Sequence, residues 1–366
     1  NDTFVGGSVS MNQGTTLTMD IDSSSDIKTQ IIQNVSGGGD GSGGIVKEGA
    51  GTLNLLGANS GFGGSTTING GSIVYHATDN SNSYFGGSTN LAVEGTNLTL
   101  IVDEGIENQT VSRVSGVAGS TINKQGEGDL NLSGDNSAFY GVAYVENGKL
   151  VYVADDETDE YFGGNTNISG GAELEANVAQ QGSDGSHITG QTIGNITGGS
   201  GAKFTKTGDG EIKLVGDNSN FKGTTTISGG ILAYTTSDST SYVKGNTVIN
   251  EKGTLEYEVG NTLSASLTAI SGKGTLDKLG TGTLNLVGYN SGFVGTVDVT
   301  GGRLAYTTAD DSKFINANSY NIAQNAELYI NNTTEDSVNV SNLNLGDDEN
   351  GQTGSGNVIK EGKGTL

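Results

Sequence analysis

One phrase, written four times, constrains this chain more than any other feature. It reads KEGAGTLNLLGANSGF from Lys47, KQGEGDLNLSGDNSAF from Lys124, KTGDGEIKLVGDNSNF from Lys206 and KLGTGTLNLVGYNSGF from Lys278. A cut copy, KEGKGTL, begins at Lys360, and successive lysines lie 77, 82, 72 and 82 residues apart. A second phrase keeps step with it: YFGGSTNL from Tyr84, YFGGNTNI from Tyr161 and a weaker YVKGNTVI from Tyr242. Self-similarity at a fixed period marks an architecture in which each copy buries its apolar face only against its neighbours.

Each unit divides again. Segments opening with Gly-x-Thr-x-Ile, or a near relative, begin at Gly64, Gly87, Gly119, Gly141, Gly164, Gly201, Gly223, Gly245 and Gly274. Their spacings, the last measured from Gly274 to Gly295, run 23, 32 and 22, then 23, 37 and 22, then 22, 29 and 21. Within them, apolar residues alternate at period 2, as in Leu53/Leu55, Leu98/Leu100/Val102, Ile212/Leu214 and Leu284/Leu286. That is the pattern of a strand with one buried face. Such short strands, linked as hairpins, would leave many exposed edges; coiled in one direction, each pairs with its equivalent one turn away. We therefore expect an all-β chain, a parallel β-helix with one rung per sub-repeat and about three rungs per unit of about 78 residues. The longer second rung is expected to carry a protruding loop. Thirteen rungs at strand spacing would span on the order of 60 Å. The whole of 1–366 reads as one continuous segment, with units at about 64–140, 141–222, 223–294 and 295–366 (the last incomplete) and partial units in 1–63.

Composition narrows the function. There is no Cys, hence no disulfide framework and no thiolate metal site. Acids outnumber bases 41 to 17, a net charge of −24. That disfavours nucleic acid, whose binders meet phosphate with Lys and Arg, and anionic lipid. No apolar run approaches a membrane span, the longest, around Leu98–Val102, being strand-sized. The absence of Pro suits strands interior to a ladder, each of which needs its N–H. Asn1 opens the chain without an initiator Met or a signal peptide, as expected of a piece excised from a longer array. Of the repeated side chains, Phe62, Phe139, Phe221 and Phe293 are expected to pack at corners. Lys47, Lys124, Lys206 and Lys278 are expected at solvated strand ends, three rungs apart and so not stacked. Leu53, Leu130, Ile212 and Leu284 should point into the coil, and His76 and His187 should lie in exposed loops.

The stretch Lys47–Ile73 (KEGAGTLNLLGANSGFGGSTTINGGSI) resembles the passenger-associated repeat of bacterial autotransporters, the type V secretion proteins. Lys206–Leu232 and Lys278–Leu304 follow the same pattern, while Lys124–Leu150 departs at Val142-Ala143-Tyr144, where Thr is expected. The resemblance implies a right-handed β-helical passenger exported through a C-terminal β-barrel that lies outside this segment. It implies a location at the cell surface or outside the cell, anchored in the outer membrane through that barrel or released. Passengers of this kind include adhesins, self-associating proteins, proteases and esterases, so the fold alone does not fix the activity.

The residues do not favour catalysis. The serine-protease passengers carry Gly-Asp-Ser-Gly; the nearest string here, Gly182-Ser-Asp-Gly-Ser186, has the wrong order, and His187 follows it too closely to serve as a distant base. A lyase acting on acidic polysaccharide needs cations around its substrate, and only Arg113 and Arg303 are arginines; no Trp offers a sugar platform. The acidic loops form a more suggestive series: His76–Ser83, Ala154–Glu160, Thr235–Ser241 and Thr307–Lys313. All follow the same strand of the repeat and are expected to leave one corner. Asp79, Asp155, Asp156, Asp238, Asp310 and Asp311 are the candidate partner-contact residues. Calcium, which takes six to eight oxygens, is the one cofactor worth considering. Its candidates are Asp155, Asp156, Glu157, Asp159 and Glu160, then Asp347, Asp348 and Glu349, while the Gly37–Gly41 string reads as a turn. The leading expectation is a non-enzymatic adhesin or self-association factor, acting in aggregation or biofilm through many weak polar contacts to itself or to a host or bacterial surface ligand. The alternatives are a polysaccharide-acting enzyme displayed on the same coil, and a spacer with activity elsewhere.

Overall fold

The computed structural model describes residues 3–22, 28–39, 43–182, 185–236, 243–308, 314–333, 335, 337–345 and 356–366. Among these every regular element is a strand, 35 in all, and every pair of named strands whose register is given runs parallel. No helix of the described residues is long and apolar enough to cross a membrane. The chain is a parallel β-helix, as the period-2 alternation requires. It divides into two compact units, one of 1–177 with 182–186 and one of 178–181 with 187–366.

The first unit coils through three faces in fixed order. Its first face holds Thr16–Asp20, Gly44–Glu48, Ser65–Ile68, Thr89–Leu91 and Val114–Gly116. Its second holds Thr3–Met11, Thr29–Gly37, Thr52–Leu55, Ser72–Ala77, Asn97–Val102, Thr121–Gln125, Val142–Val145 and Asn165–Ile168. Its third holds Gln109–Ser112, Asp129–Ser133, Lys149–Ala154 and Glu173–Val178. Register is set by the inward column. Leu53 pairs with Ile73, Ile73 with Leu98 and Leu98 with Ile122, and all four are buried. A one-residue slip would turn the whole column outward. The second unit repeats the scheme, with Leu232, Leu255 and Leu276 stacked in one column and Leu284, Leu304 and Leu328 in another. Leu53, Leu130, Ile212 and Leu284 all point inward, at most 1% exposed.

The long sub-repeats depart from expectation, and the departure reorganises the molecule. Thr89–Leu91 is followed one turn later by its partner Val114–Gly116 on the first face. In the longest sub-repeat part of the surplus does fold back on itself, Gln181 bridging antiparallel to His187, but after Thr89–Leu91 the surplus residues do not bulge out as a loop. They let the coil finish that turn and carry the next Gly-x-Thr-x-Ile segment, Gly119–Ile122, onto the second face, where Thr121 pairs with Asn97. The same step occurs twice in the second unit: Ala269–Gly272 closes its turn on Asn246–Ile249, and the next strand, Thr275–Leu279, pairs on the adjacent face with Gly253–Val259. Three turns after Thr275–Leu279, Leu343–Asn344 closes that face, and Asn357–Gly362 starts on the next, against Glu327–Asn332. Each repeat is therefore three turns plus one face. The lysine strand moves from the first face (Gly44–Glu48) to the second (Thr121–Gln125) within the first unit, and through three successive faces within the second.

Candidate functional site

The repeated phrase builds an internal fastening. Lys47, Lys124, Lys206 and Lys278 are not solvated strand ends: each is at most 1% exposed. The K-x-G glycine (Gly49, Gly126, Gly208, Gly280) takes φ of 69–75°, which turns its carbonyl back towards the ammonium. A Cβ there would strike the backbone of the turn below, Val102 O at 2.1 Å in the case of Gly126. Nζ then donates to three carbonyls at 2.5–3.2 Å: the next residue, the K-x-G glycine and a residue one turn above, such as Gly70 for Lys47, Gly229 for Lys206 or Gly301 for Lys278. Lys124 does the same to Gln125, Gly126 and Asn147. Burial pushes Lys124, Lys206 and Lys278 down to about 8 and lowers Lys47 too, partly offset by nearby carboxylates such as Asp209 beside Lys206. Sequence reasoning missed this clasp. The signal was K-x-G itself, a long donor placed two residues before a carbonyl turned by a positive φ.

The Asn-Ser-x-Phe corner packs as expected. Phe62, Phe139, Phe221 and Phe293 are fully buried, and Phe62 meets Phe85 edge-on at 5.2 Å. The invariant asparagine is the polar part of that corner. Asn59, Asn136, Asn218 and Asn290 are buried and accept, at 2.7–3.0 Å, the backbone N–H of Val35, Val114, Ile196 and Ile270 on the turn below. Their amide nitrogens donate to carbonyls of their own corner. Such buried side chains hold successive turns together and face no ligand.

The acidic loops do not share a corner. The loop with Asp79 follows Ser72–Ala77 on the second face; the loop with Asp155 follows Lys149–Ala154 on the third. Their equivalence in sequence is turned through one face by the step between repeats. Asp159 is buried and accepts the backbone N–H of Asp155 and Asp156 at 3.1 Å, and burial raises its carboxyl. Asp156 accepts from Thr158, and Asp79 from Ser81, so both close their own turns. Asn82 holds the place of Asp159, accepting from Thr78 N at 2.8 Å. Glu157 and Glu160 are exposed, and no group of three or more His, Cys, Asp or Glu among the described residues is arranged to hold a metal ion. Asp238, Asp310, Asp311, Asp347, Asp348 and Glu349 lie outside the described residues.

His76 stands in a strand, half-buried, with Nε2 at 2.9 Å from Asp103 Oδ1, and His187 is exposed beside the turn Gly182–Ser186. Glu107, Glu127 and Asp129 line an open groove of about 390 Å³ with Ile106, Asn108 and Asn131. No aromatic or cationic side chain lines it.

What distinguishes the faces is charge. The third face of the first unit carries Asp129, Lys149, Glu173 and Glu175 outward, with Lys149 Nζ at 2.9 Å from Glu175. In the second unit Glu256, Asp277 and Asp298 follow one another in a column, and burial together with Glu211 and Asp277 raises the carboxyl of Glu256. Arg303 there pairs with Glu327 and lies 4.8 Å over the ring of Tyr329. On the first face of the first unit a central column of five strands, Thr18, Val46, Thr67, Asn90 and Ser115, is also uncharged, and the second face carries the longer uncharged run. Across seven strands its two central outward columns are Thr29, Thr52, Ser72, Asn97, Thr121, Val142 and Asn165, and Ile31, Asn54, Val74, Thr99, Asn123, Tyr144 and Asn167. None of these is charged. Hydrogen bonds run along and across the columns, from Asn97 Nδ2 to Thr121 Oγ1 and from Thr99 Oγ1 to Asn97 Oδ1, both 2.7 Å.

Comparison with known proteins accords with this architecture. The passenger-associated-transport-repeat family matches four times, at residues 45–74, 122–151, 204–233 and 276–305, each match beginning in a lysine strand. The adhesin BmaC autotransporter of Brucella suis biovar 1 (strain 1330) is 29% identical over 255 residues, 55% of this chain and 7% of that protein. The uncharacterized lipoprotein YdeK of Escherichia coli (strain K12) is 29% identical over 262 residues, 66% of this chain and 18% of that protein. The chain thus spans under a fifth of the length of either relative. No solved structure matches it.

Proposed function

Since the chain belongs to the autotransporter passengers built of passenger-associated-transport repeats, we propose that it works outside the cell as a non-enzymatic adhesin, by self-association or by holding a surface ligand. A translocator β-barrel elsewhere in the whole protein would deliver it and, unless the passenger is released, hold it at the outer membrane. The observation that carries the reading is the set of outward Asn, Thr and Ser ladders at strand spacing, on a coil filled by its own side chains. Each such contact is worth about 1 kcal/mol net or less, so adhesion would come from number and effective concentration. The name of the Brucella relative points the same way. Calcium bridging at the acidic loops is the competing mode, although the two described loops spend Asp79, Asp156 and Asp159 on their own backbone.

The test is aggregation of beads densely coated with the purified protein, and their adhesion to bacterial and host cells, with and without a chelator. Aggregation or adhesion that persists in chelator supports the proposal. Abolition by chelator transfers the role to calcium. Coated beads that neither aggregate nor adhere in any condition leave the coil as a spacer. Turnover of a polysaccharide, lost on Glu107→Gln with Asp129→Asn, would move the function to the groove.

A further inference from the structure

We infer that the uncharged second face of the first unit is a homophilic surface, and that its occupant is the same face of a second copy. The inference rests on the self-association reading above and names the place where it happens. At a net charge of −24 the chain repels its own copies, and at physiological salt that field is screened over about 8 Å. Two copies can therefore approach closely only where neither presents a carboxylate. The two central columns from Thr29 to Asn167 offer such a place on seven strands. Carboxylates at its margin include Asp103, paired with His76, Glu146, accepting from Gln125, and Glu94, which lies against Gly119.

Period and chemistry favour a copy of the chain over another partner. Amides and hydroxyls each carry donor and acceptor, so a ladder of Asn and Thr is complementary to itself. A two-fold axis lying in the plane between the two faces would set two ladders of identical rise against each other, an isologous contact that closes on itself. Tyr144, 36% exposed, projects from the column next to its last position, Asn167. The area also sets the strength. Seven strands at about 4.8 Å, two columns wide, offer about 400 Å² per partner, against about 800 Å² in a standard stable interface. One pair of faces is too small for a lasting dimer in dilute solution and adequate where many copies are displayed together.

The experiment places like charge on the face and then complements it. Beads coated with full chain are compared for wild type, the double variant Thr99→Asp/Asn123→Asp and the double variant Thr99→Lys/Asn123→Lys. Asn285→Asp, on a strand of the second unit, serves as a control with the same chemistry elsewhere, and melting curves verify that all are folded. We expect wild-type beads to aggregate in chelator and the Asp variant to aggregate about tenfold more slowly, the equivalent of about 1.4 kcal/mol. Mixing Asp-variant with Lys-variant beads should restore the rate, while Asn285→Asp should leave it unchanged. Wild-type aggregation that the Asp variant leaves intact, or that Asn285→Asp slows equally, would overturn this face while leaving self-association standing. Failure of the mixture to co-aggregate would overturn the face-to-face pairing. Absence of wild-type aggregation would remove the self-association reading itself.

Discussion

The lysine clasp predicts a large and local effect from one substitution. In Lys206→Met the apolar stem is retained and the ammonium is lost. Gly208 O and Gly229 O, which accept from Nζ at 2.8 and 3.2 Å, then lose that donor in a site closed to water. An orphaned buried acceptor costs about 1–3 kcal/mol. Removing the desolvation of the charge gives part of that back, so we expect a net loss of about 3 kcal/mol. Lys203→Met, at an exposed position of the same strand, should change stability by less than about 0.5 kcal/mol. Arrays of stacked turns need not melt in one step, so a single midpoint is the wrong readout. Native-state hydrogen exchange is better, read at the amides of Glu211–Val215 and Gly230–Thr236, the paired strands that follow the two turns tied by the clasp. Exchange in Lys206→Met should speed up there and much less at the clasp of Lys278. The sign with pH is a second handle. The folded lysine titrates near 8 and the unfolded one near 10.5, so between those values the unfolded chain binds more protons and stability rises with pH. Lys206→Met should lose one group's share of that rise. Equal exchange in the two methionine variants would show that the buried ammonium fastens nothing, and an unchanged pH slope would show that its charge is not desolvated by folding.

Further expectations concern the core, the corner, the tyrosines and the repeat. Leu284→Asp puts an unpaired carboxylate at a fully buried inward position and should cost several kcal/mol, whereas Asn285→Asp beside it should melt like wild type. Asn218→Ala strands Ile196 N–H and Val215 O and should cost about 2 kcal/mol, measured by denaturant titration. Burial raises Tyr84, Tyr161 and Tyr234, so the unfolded chain loses those protons first; stability should fall as pH climbs above 10, and an absorbance titration of phenolate should show them silent until unfolding. Removing one whole repeat, 64–140, joins equivalent positions and should leave a folded chain, whereas removing half a turn should not, as circular dichroism would show.

Period-2 alternation was enough to place Leu53, Leu130, Ile212 and Leu284 inside, because in a coil of short strands burial follows position along the strand and little else. The corner phenylalanines were legible for the same reason. The lysines were not, since a cation reads as solvated until its acceptors are known, and those acceptors are backbone carbonyls, one of them a full turn away, of which the sequence shows only the K-x-G spacing. The step from face to face was present in the spacings all along. The long sub-repeats of 32, 37 and 29 exceed their neighbours of 21–23, and the surplus supplies one more face of the coil, joined in the longest by the folded-back pair Gln181 and His187. The uncharged surface was foreshadowed only as an excess of outward Asn and Thr. Its location depends on which strands share a face, and that is decided by the step.

A helical stair whose flights turn by a third at each landing never sets two adjacent landings above one another. Within each unit here, whatever a repeat carries at a given position looks along a bearing one face round from that of the neighbouring copy. A partner approaching from one side therefore meets the same phrase only at every third copy and reads, in between, positions that are not equivalent in sequence. Any surface continuous along one side must be composed across unlike parts of successive repeats, and selection has to maintain it strand by strand. Gain or loss of a single copy would swing everything beyond it to a new bearing, whereas gain or loss of three would restore the aim. Copy number in such an array thus fixes direction as well as length.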